Sequence, residues 1–134
     1  MGVVVDSSVW VDVERGALRA EDIVREIGNV PVFLTPTILA ELQYGVERAA
    51  TEGQRIRRMG AMARLRRKPC LILDPATGEL WGRIAAHLDR AGRPSAHRIH
   101  DLWIAAAALQ RGFAVLTRNP SDFEDVPGLQ VHRI

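Results

Sequence analysis

The sequence predicts an α/β fold in which a central, mostly parallel β-sheet carries helices on both faces. Short apolar runs rich in valine, isoleucine and leucine alternate with longer segments whose apolar residues recur at helical spacing. Glycine, proline and capping residues separate these segments. A chain of 134 residues, 47% of them hydrophobic, can bury one core, so we expect a single domain over residues 1–134.

Five apolar runs predict strands. The first, Gly2 to Val5, is continuously apolar, as expected for a central parallel strand that is buried on both faces. The last, Leu129 to His132, is expected at an edge of the sheet. The other three predicted strands cover residues 32–34, 71–73 and 114–116.

Six segments between these strands predict helices. Thr35 and Pro36 are a preferred N-cap followed by the residue that best suits the first helical position. Asp74 and Pro75 form the same kind of start further along the chain. The predicted helices begin at Ser7 or Ser8, at about residue 19, at 37, at 55, at 75 and at 99, and the last is alanine-rich and expected to be buried.

Composition and missing motifs exclude several function classes. Cys70 is the only cysteine, so no internal disulfide can form, and the sequence has neither a P-loop nor a dinucleotide-binding glycine motif. No apolar run is long enough to span a bilayer, and we expect a cytoplasmic protein without a membrane partner. Lys68 is the only lysine, so arginine supplies nearly all positive charge; this suits a polyanionic or acidic partner, although a GC-rich genome would give the same bias.

Four carboxylates stand where a parallel sheet could gather them. Asp6 ends the first predicted strand and Asp122 follows the fourth, whereas Glu41 and Asp101 lie on predicted helices. Sites in parallel sheets form at the carboxyl ends of the strands, so these side chains could share one crevice. Carboxylate oxygens are the ligands that hard divalent cations prefer.

Each acid also has an ordinary structural explanation. Asp6 could cap the helix that follows it, Asp101 could stabilise the first turn of its own helix, and Asp122 could belong to a turn. Glu41 flanks the apolar stripe of its helix, where a long side chain could extend into solvent. Capping does not explain Glu41, which makes it the most informative of the four.

The order of these acids resembles that of the PIN-domain nucleases. The segments VVVDSSVWVD, ILAELQYG, HDLWIAAAAL and TRNPSDFEDVPGLQV are similar to toxin ribonucleases of the VapC type, from type II toxin-antitoxin systems, and the resemblance covers essentially the whole chain. It implies a PIN-like three-layer fold with strand order of about 3-2-1-4-5. It also implies that the catalytic and metal-binding residues are Asp6, Glu41, Asp101 and Asp122.

The resemblance further implies a chemistry and its partners. One or two Mg²⁺ or Mn²⁺ ions would assist hydrolysis of an RNA phosphodiester and leave 5′-phosphate and 3′-hydroxyl ends. Supporting roles fall to Ser7, Thr117 and Asn119. A homodimer and inhibition by a cognate VapB-type antitoxin are expected as well.

The remaining acids are assigned to structure or solvent. Asp74 would end a strand at the edge of the sheet, away from the crevice, and is assigned to capping. Solvated charge is expected for Asp12, Glu14 and Glu79 on helix surfaces and for Asp125 in a loop.

Candidate RNA-binding residues are basic. Arg55 and Arg58 belong to an amphipathic arginine-rich helix, and Arg118 and His100 adjoin the acidic motifs. A surface role is the alternative for His100, and the helix could instead contact a membrane, an antitoxin or a second copy of the chain.

Two other functions fit parts of the pattern. A catalytically silent RNA-binding PIN module would keep the fold without the cleavage. A phosphoacceptor receiver domain also gathers acids and Mg²⁺ at strand ends, but it needs a lysine there, and Lys68 precedes the predicted edge strand.

Overall fold

Four parallel strands and six α-helices make up the computed structural model, which describes residues 1–134. The strands are β1 (Val3–Val5), β2 (Val32–Phe33), β3 (Ala114–Thr117) and β4 (Val131–Arg133). The helices are α1 (Ser7–Glu14), α2 (Ala20–Ile27), α3 (Pro36–Glu47), α4 (Glu52–Leu65), α5 (Pro75–Arg90) and α6 (Ile99–Gln110), with 3-10 turns at Ser95–His97 and Pro120–Asp122.

The sheet has the order β2-β1-β3-β4, and every pairing in it is parallel. β1 and β3 lie at its centre, and Val3, Val4 and Val5 are buried as the apolar run predicts. The chain crosses from one half of the sheet to the other between these two strands. Asp6 and Thr117 lie at their adjacent carboxyl ends, which is where an open α/β sheet forms its crevice.

The prediction of a third strand at residues 71–73 is wrong. A single parallel bridge joins Leu34 to Cys70, through Leu34 N–H to the Pro69 carbonyl and Leu71 N–H to the Leu34 carbonyl. The side chain of Ile72 is 72% exposed, so this segment lacks the burial on both faces that would hold a longer strand. The predicted order is otherwise confirmed, with this bridge next to β2.

Caps set the helix starts. The Thr35 hydroxyl accepts a hydrogen bond from Ile38 N–H at 3.2 Å and begins α3, as predicted. The arginine-rich helix α4 starts at Glu52, three residues before its predicted start, because Thr51 caps it. None of the helices is long and apolar enough to cross a membrane.

One hydrophobic core surrounds the sheet. The predicted burial of α6 is confirmed, since the four alanines at its centre, Ala105 to Ala108, are fully inaccessible. α6 packs against α5, α3, β1 and β3. Phe123 is also fully buried, directly after Asp122. The core therefore anchors the segments that carry Asp101 and Asp122.

Candidate active site

Asp6 is buried at the carboxyl end of β1 and is held by three hydrogen bonds. Its Oδ1 accepts the Ser7 backbone N–H at 2.8 Å, and its Oδ2 accepts the hydroxyls of Ser8 and Thr117, each at 2.8 Å. The capping explanation is therefore correct for Asp6, which is the N-cap of α1. Capping and a place in the crevice are compatible, because the same carboxylate also faces the end of β3.

The neighbours of Asp6 differ in part from the predicted supporting set. Thr117 is fully buried, and its hydroxyl also accepts Asn119 N–H at 3.0 Å. Ser8 supplies the second hydroxyl to Asp6, a residue not assigned from the sequence, although it is the second serine of the same motif. The Ser7 side chain lies beside Glu41 instead.

Glu41 projects from α3 into the same crevice. Its Oε1 is buried and has no hydrogen-bond partner. The residue as a whole remains partly exposed, as the structural alternative expected, but this oxygen is shielded from solvent. Burial, together with the charge of Asp6, raises the pKa of Glu41 to about 7, and the Ser7 hydroxyl lowers it only in part. A buried carboxylate without a partner is unfavourable unless a proton or a cation neutralises it.

Asp101 and Asp122 line the same crevice. Burial raises the pKa of Asp101 to about 7, and the charges of Asp122, Asp6 and Glu41 add to this effect. Asp101 lies in the first turn of α6, where its charge interacts favourably with the positive end of the helix dipole, as the structural explanation expects, although no side chain caps the start of this helix. Burial and Asp6 also raise the pKa of Asp122.

All four carboxylates line one cleft of about 380 Å³. Asn119, Arg118, Arg15, Ser7 and Ser8 share its walls. As the side chains stand, no three His, Cys, Asp or Glu residues are placed to hold one metal ion. The cleft thus gathers four carboxyl groups, and the pKa values of two of them, Glu41 and Asp101, are raised to about 7.

A model of the PIN domain matches residues 3–129 of the chain. The chain belongs to the PIN domain family. It is 34% identical over 125 residues to Ribonuclease VapC5 of Mycobacterium tuberculosis, covering 93% of this chain and 87% of that protein. It is 29% identical over 131 residues to Ribonuclease VapC1 of Rickettsia felis, and the match covers 98% of this chain and 95% of that protein.

Solved structures include one similar over nearly the whole length. A chain of VapBC-5 from Mycobacterium tuberculosis, a member of the VapBC family of toxin-antitoxin systems, is 28% identical, with a TM-score of 0.79 over 99% of this chain and 98% of that one. The resemblance to VapC-type proteins is therefore confirmed, and so is the α/β fold with a parallel sheet.

An ion pair behind the cleft of this PIN domain was missed from the sequence. Asp125, expected to be solvated, is only 9% exposed and pairs with Arg98 at 2.6 Å. The Arg98 hydrogen bonds hold the pKa of Asp125 below its usual range. The two partners are 27 positions apart in the sequence, so no local pattern signals the pair.

The other acids mostly make structural contacts. Asp74 caps α5 by accepting Thr77 N–H at 2.9 Å, as predicted. Glu79 is exposed, as expected. The prediction that Glu14 is solvated is wrong, because its side chain is only 11% exposed and its Oε1 lies 3.7 Å from Arg57 Nε. Asp12 also makes an ion pair, with 2.8 Å between its Oδ2 and Arg118 Nε.

The candidate RNA-binding residues of the PIN domain have different settings. Arg118 borders the acidic cleft and also donates to the Ile134 carbonyl. Arg58 donates to the Gly45 carbonyl at 2.6 Å in a neighbouring cavity that Glu41 also lines. Arg55 and His100 are exposed outside the cleft walls.

The single lysine argues against a receiver domain. The Lys68 ammonium lies 5.6 Å from the centre of the Trp10 ring, and Lys68 does not line the acidic cleft. The PIN domain therefore lacks the lysine that phosphoacceptor chemistry needs beside its acids.

Proposed function

We propose that this PIN domain is a metal-dependent endoribonuclease, the toxin of a type II toxin-antitoxin pair that acts on RNA in the cytoplasm. The observation that carries the proposal is the shared cleft, in which Asp6, Glu41, Asp101 and Asp122 surround one opening. Relatives named Ribonuclease VapC support the reaction class.

The chemistry of the cleft fits one or two Mg²⁺ or Mn²⁺ ions. Both ions prefer carboxylate oxygens, and a cation would neutralise the buried, unpaired Oε1 of Glu41. Because no three acids are placed to hold an ion as they stand, binding would require their side chains to turn toward it. The carboxylate of Asp122 makes no hydrogen bond to the protein, so it can turn more easily than that of Asp6, which accepts three.

We infer separate roles for the acids in hydrolysis. A bound ion would lower the pKa of water and stabilise charge on the phosphoryl group. Hydrogen bonds from Ser8 and Thr117 fix the orientation of the Asp6 carboxylate, so it would hold the ion in one position. Glu41 has a buried Oε1 without a hydrogen-bond partner, so its role would be to hold the ion and the water beside it. The water oxygen would bond to phosphorus as the bond to the 3′-oxygen breaks; the attacking water loses a proton to solvent, and the 3′-oxygen takes one up from solvent, giving 5′-phosphate and 3′-hydroxyl ends.

Replacement of Asp6 tests the proposal. Asp6→Asn should abolish Mg²⁺-dependent cleavage of RNA oligonucleotides, and EDTA should abolish wild-type cleavage. Asp74→Asn is the matched control, because Asp74 also precedes a helix but lies outside the cleft. Cleavage by Asp6→Asn at the wild-type rate would refute the proposal. RNA binding without cleavage by every form would favour the silent module.

Basic residues near the cleft are proposed to bind the RNA backbone. Arg118 borders the acids directly, and Arg58 borders the adjoining cavity. Arg55 and His100 would contact only RNA that extends beyond the cleft. Neutral variants at Arg118 or Arg58 should weaken binding to all sequences and reduce its salt dependence.

Partners are proposed from the relatives. The similar chain of VapBC-5 belongs to a toxin-antitoxin family, so we propose that a cognate VapB-type antitoxin binds and inhibits this PIN domain. We also propose a homodimer, which light scattering on the purified toxin would reveal. Expression of the toxin alone should arrest growth, and co-expression with the antitoxin should relieve this arrest. The purified complex should also cleave RNA more slowly than the free toxin.

A further inference from the structure

Arg98 makes three close contacts immediately behind the acidic cleft. Its Nη1 donates to Asp125 Oδ2 at 2.7 Å, and its Nη2 donates to Asp125 Oδ1 at 2.6 Å. The same Nη2 donates to the backbone carbonyl of Asp122 at 2.6 Å. The two charged side chains are 16% and 9% exposed, so the pair is largely shielded from water. Two-point pairing of this kind fixes orientation as well as distance.

The backbone of Arg98 belongs to a different segment of the site. Its carbonyl accepts Leu102 N–H at 2.9 Å, which starts α6 and so sets the position of Asp101. The Asp122 peptide is held on its other side by its own N–H, which donates to the Asn119 carbonyl at 3.1 Å. One residue therefore connects the start of the helix that carries Asp101 to the turn that carries Asp122.

We propose that Arg98, braced by Asp125, is a positioning residue that holds the Asp122 turn against the start of the helix that carries Asp101 and thereby sets the divalent-cation affinity of the cleft. The part concerning cation affinity rests on the proposed function, whereas the brace itself does not. Arg98 does not line the cleft, so it acts through Asp122. Lysine could not replace it fully, because an ammonium group lacks the planar fork that contacts a carboxylate and a carbonyl together.

Hydrogen exchange tests the brace without any metal or RNA. In Arg98→Lys and Asp125→Asn, the amides of Asp122 and Phe123, which donate to turn carbonyls, should exchange at least tenfold faster than in the wild type. Amides of β1 and β3 should keep their protection, which also shows that the variants fold. Unchanged exchange at Asp122 and Phe123 in both variants would overturn the proposal, whether or not the protein is a nuclease.

Arg93→Gln is the matched control. Arg93 also contacts Asp125, at 3.3 Å, but its side chain is 59% exposed and it makes no hydrogen bond to the Asp122 turn. Exchange in this variant should stay within twofold of the wild type. Acceleration equal to that in Arg98→Lys would show that general loss of charge near Asp125 is responsible, and would count against the brace.

Calorimetric Mn²⁺ titration of the RNA-free protein tests the consequence for affinity. Arg98→Lys and Asp125→Asn should bind Mn²⁺ about tenfold more weakly, as expected when a residue that orients a metal ligand is changed. Cleavage at saturating metal should fall much less than cleavage at low metal, which a general loss of folding would not produce. Wild-type affinity in both variants would overturn the affinity part. Absence of Mn²⁺ binding by the wild type would instead refute the proposed function and, with it, the claim that Arg98 sets cation affinity. The hydrogen-exchange result would still show whether Arg98 holds the Asp122 turn.

Discussion

At the scale of single residues, Glu41 carries the clearest conflict between stability and function. Its Oε1 is buried without a partner, and its pKa is raised to about 7, so at pH 8 the folded apo protein holds an unfavourable charge. Glu41→Gln should therefore raise the free energy of unfolding at pH 8 by about 1–3 kcal/mol, since each pKa unit corresponds to about 1.4 kcal/mol. The same variant should lose RNA cleavage. Urea unfolding in EDTA, with a cleavage assay beside it, measures both.

Asp74→Asn is the comparison for this variant. Asp74 accepts hydrogen bonds from Gln110 and Thr77, which lower its pKa. Its negative charge is therefore favourable in the folded protein, and removing the charge relieves no repulsion. It should not stabilise the protein at pH 8. A Glu41→Gln protein that is less stable than the wild type at pH 8 would contradict the account given for Glu41.

Thr117 acts by orienting Asp6. Its buried hydroxyl donates to Asp6 Oδ2 at 2.8 Å, and valine has nearly the same shape without the donor. Thr117→Val should lower the free energy of unfolding by about 1–3 kcal/mol, because a buried acceptor loses a partner. Cleavage should fall by at least tenfold, measured at saturating metal. Thr117→Ser keeps the hydroxyl and should retain most activity; an equal loss in both variants would show that only packing matters.

At the scale of elements, local signals were sufficient where caps and continuous apolar runs coincided. Thr35 before Pro36 placed α3, and the valines of β1 placed the central strand. The run at residues 71–73 was apolar too, but Ile72 points into solvent and the segment makes only one bridge. Apolar composition indicates burial, and it does not reveal whether a neighbouring strand is long enough to pair.

The alanines of α6 make a prediction about this helix. Ala106 is fully buried in a helix that contacts α5, α3, β1 and β3, so a larger side chain there must displace core neighbours. Ala106→Leu should lower the free energy of unfolding by about 1–3 kcal/mol or more through overpacking. Because Asp101 lies in the first turn of α6, a shift of this helix should lower metal affinity as well. Ala63→Leu on the exposed face of α4 should have little effect in the same urea unfolding and Mn²⁺ titrations, and equal effects would contradict the packing argument.

At the scale of the whole molecule, the site was predictable to the extent that the sheet gathers strand ends. The order of the four acids along the chain predicted one cleft, and the structure places all four around it. Contacts made between distant segments were not predictable. Arg98 and Asp125 are 27 residues apart, and Thr117 meets Asp6 across 111 residues, so only the folded topology brings these partners together.

The charge of the whole cleft predicts how stability changes with pH. The pKa values of Glu41 and Asp101 are raised to about 7, and that of Asp122 is raised as well. The folded state therefore binds more protons than the unfolded state between about pH 4 and 7. Stability of the metal-free protein should fall as pH rises through this window, by at most about 1.4 kcal/mol per pH unit for each group.

Divalent cations should oppose this loss, because they bind the ionised carboxylates of the folded state only. Urea unfolding at pH 5, 6, 7 and 8, in EDTA and in Mg²⁺, should show a decline in EDTA that Mg²⁺ reduces at pH 7 and 8 and leaves unchanged at pH 5. Asp101→Asn should flatten the EDTA curve, because it removes one of the groups that take up a proton on folding. Stability that rises between pH 5 and 7 in EDTA would mean that these carboxylates ionise freely in the folded protein. The conclusion that burial and mutual repulsion raise their pKa values would then be wrong.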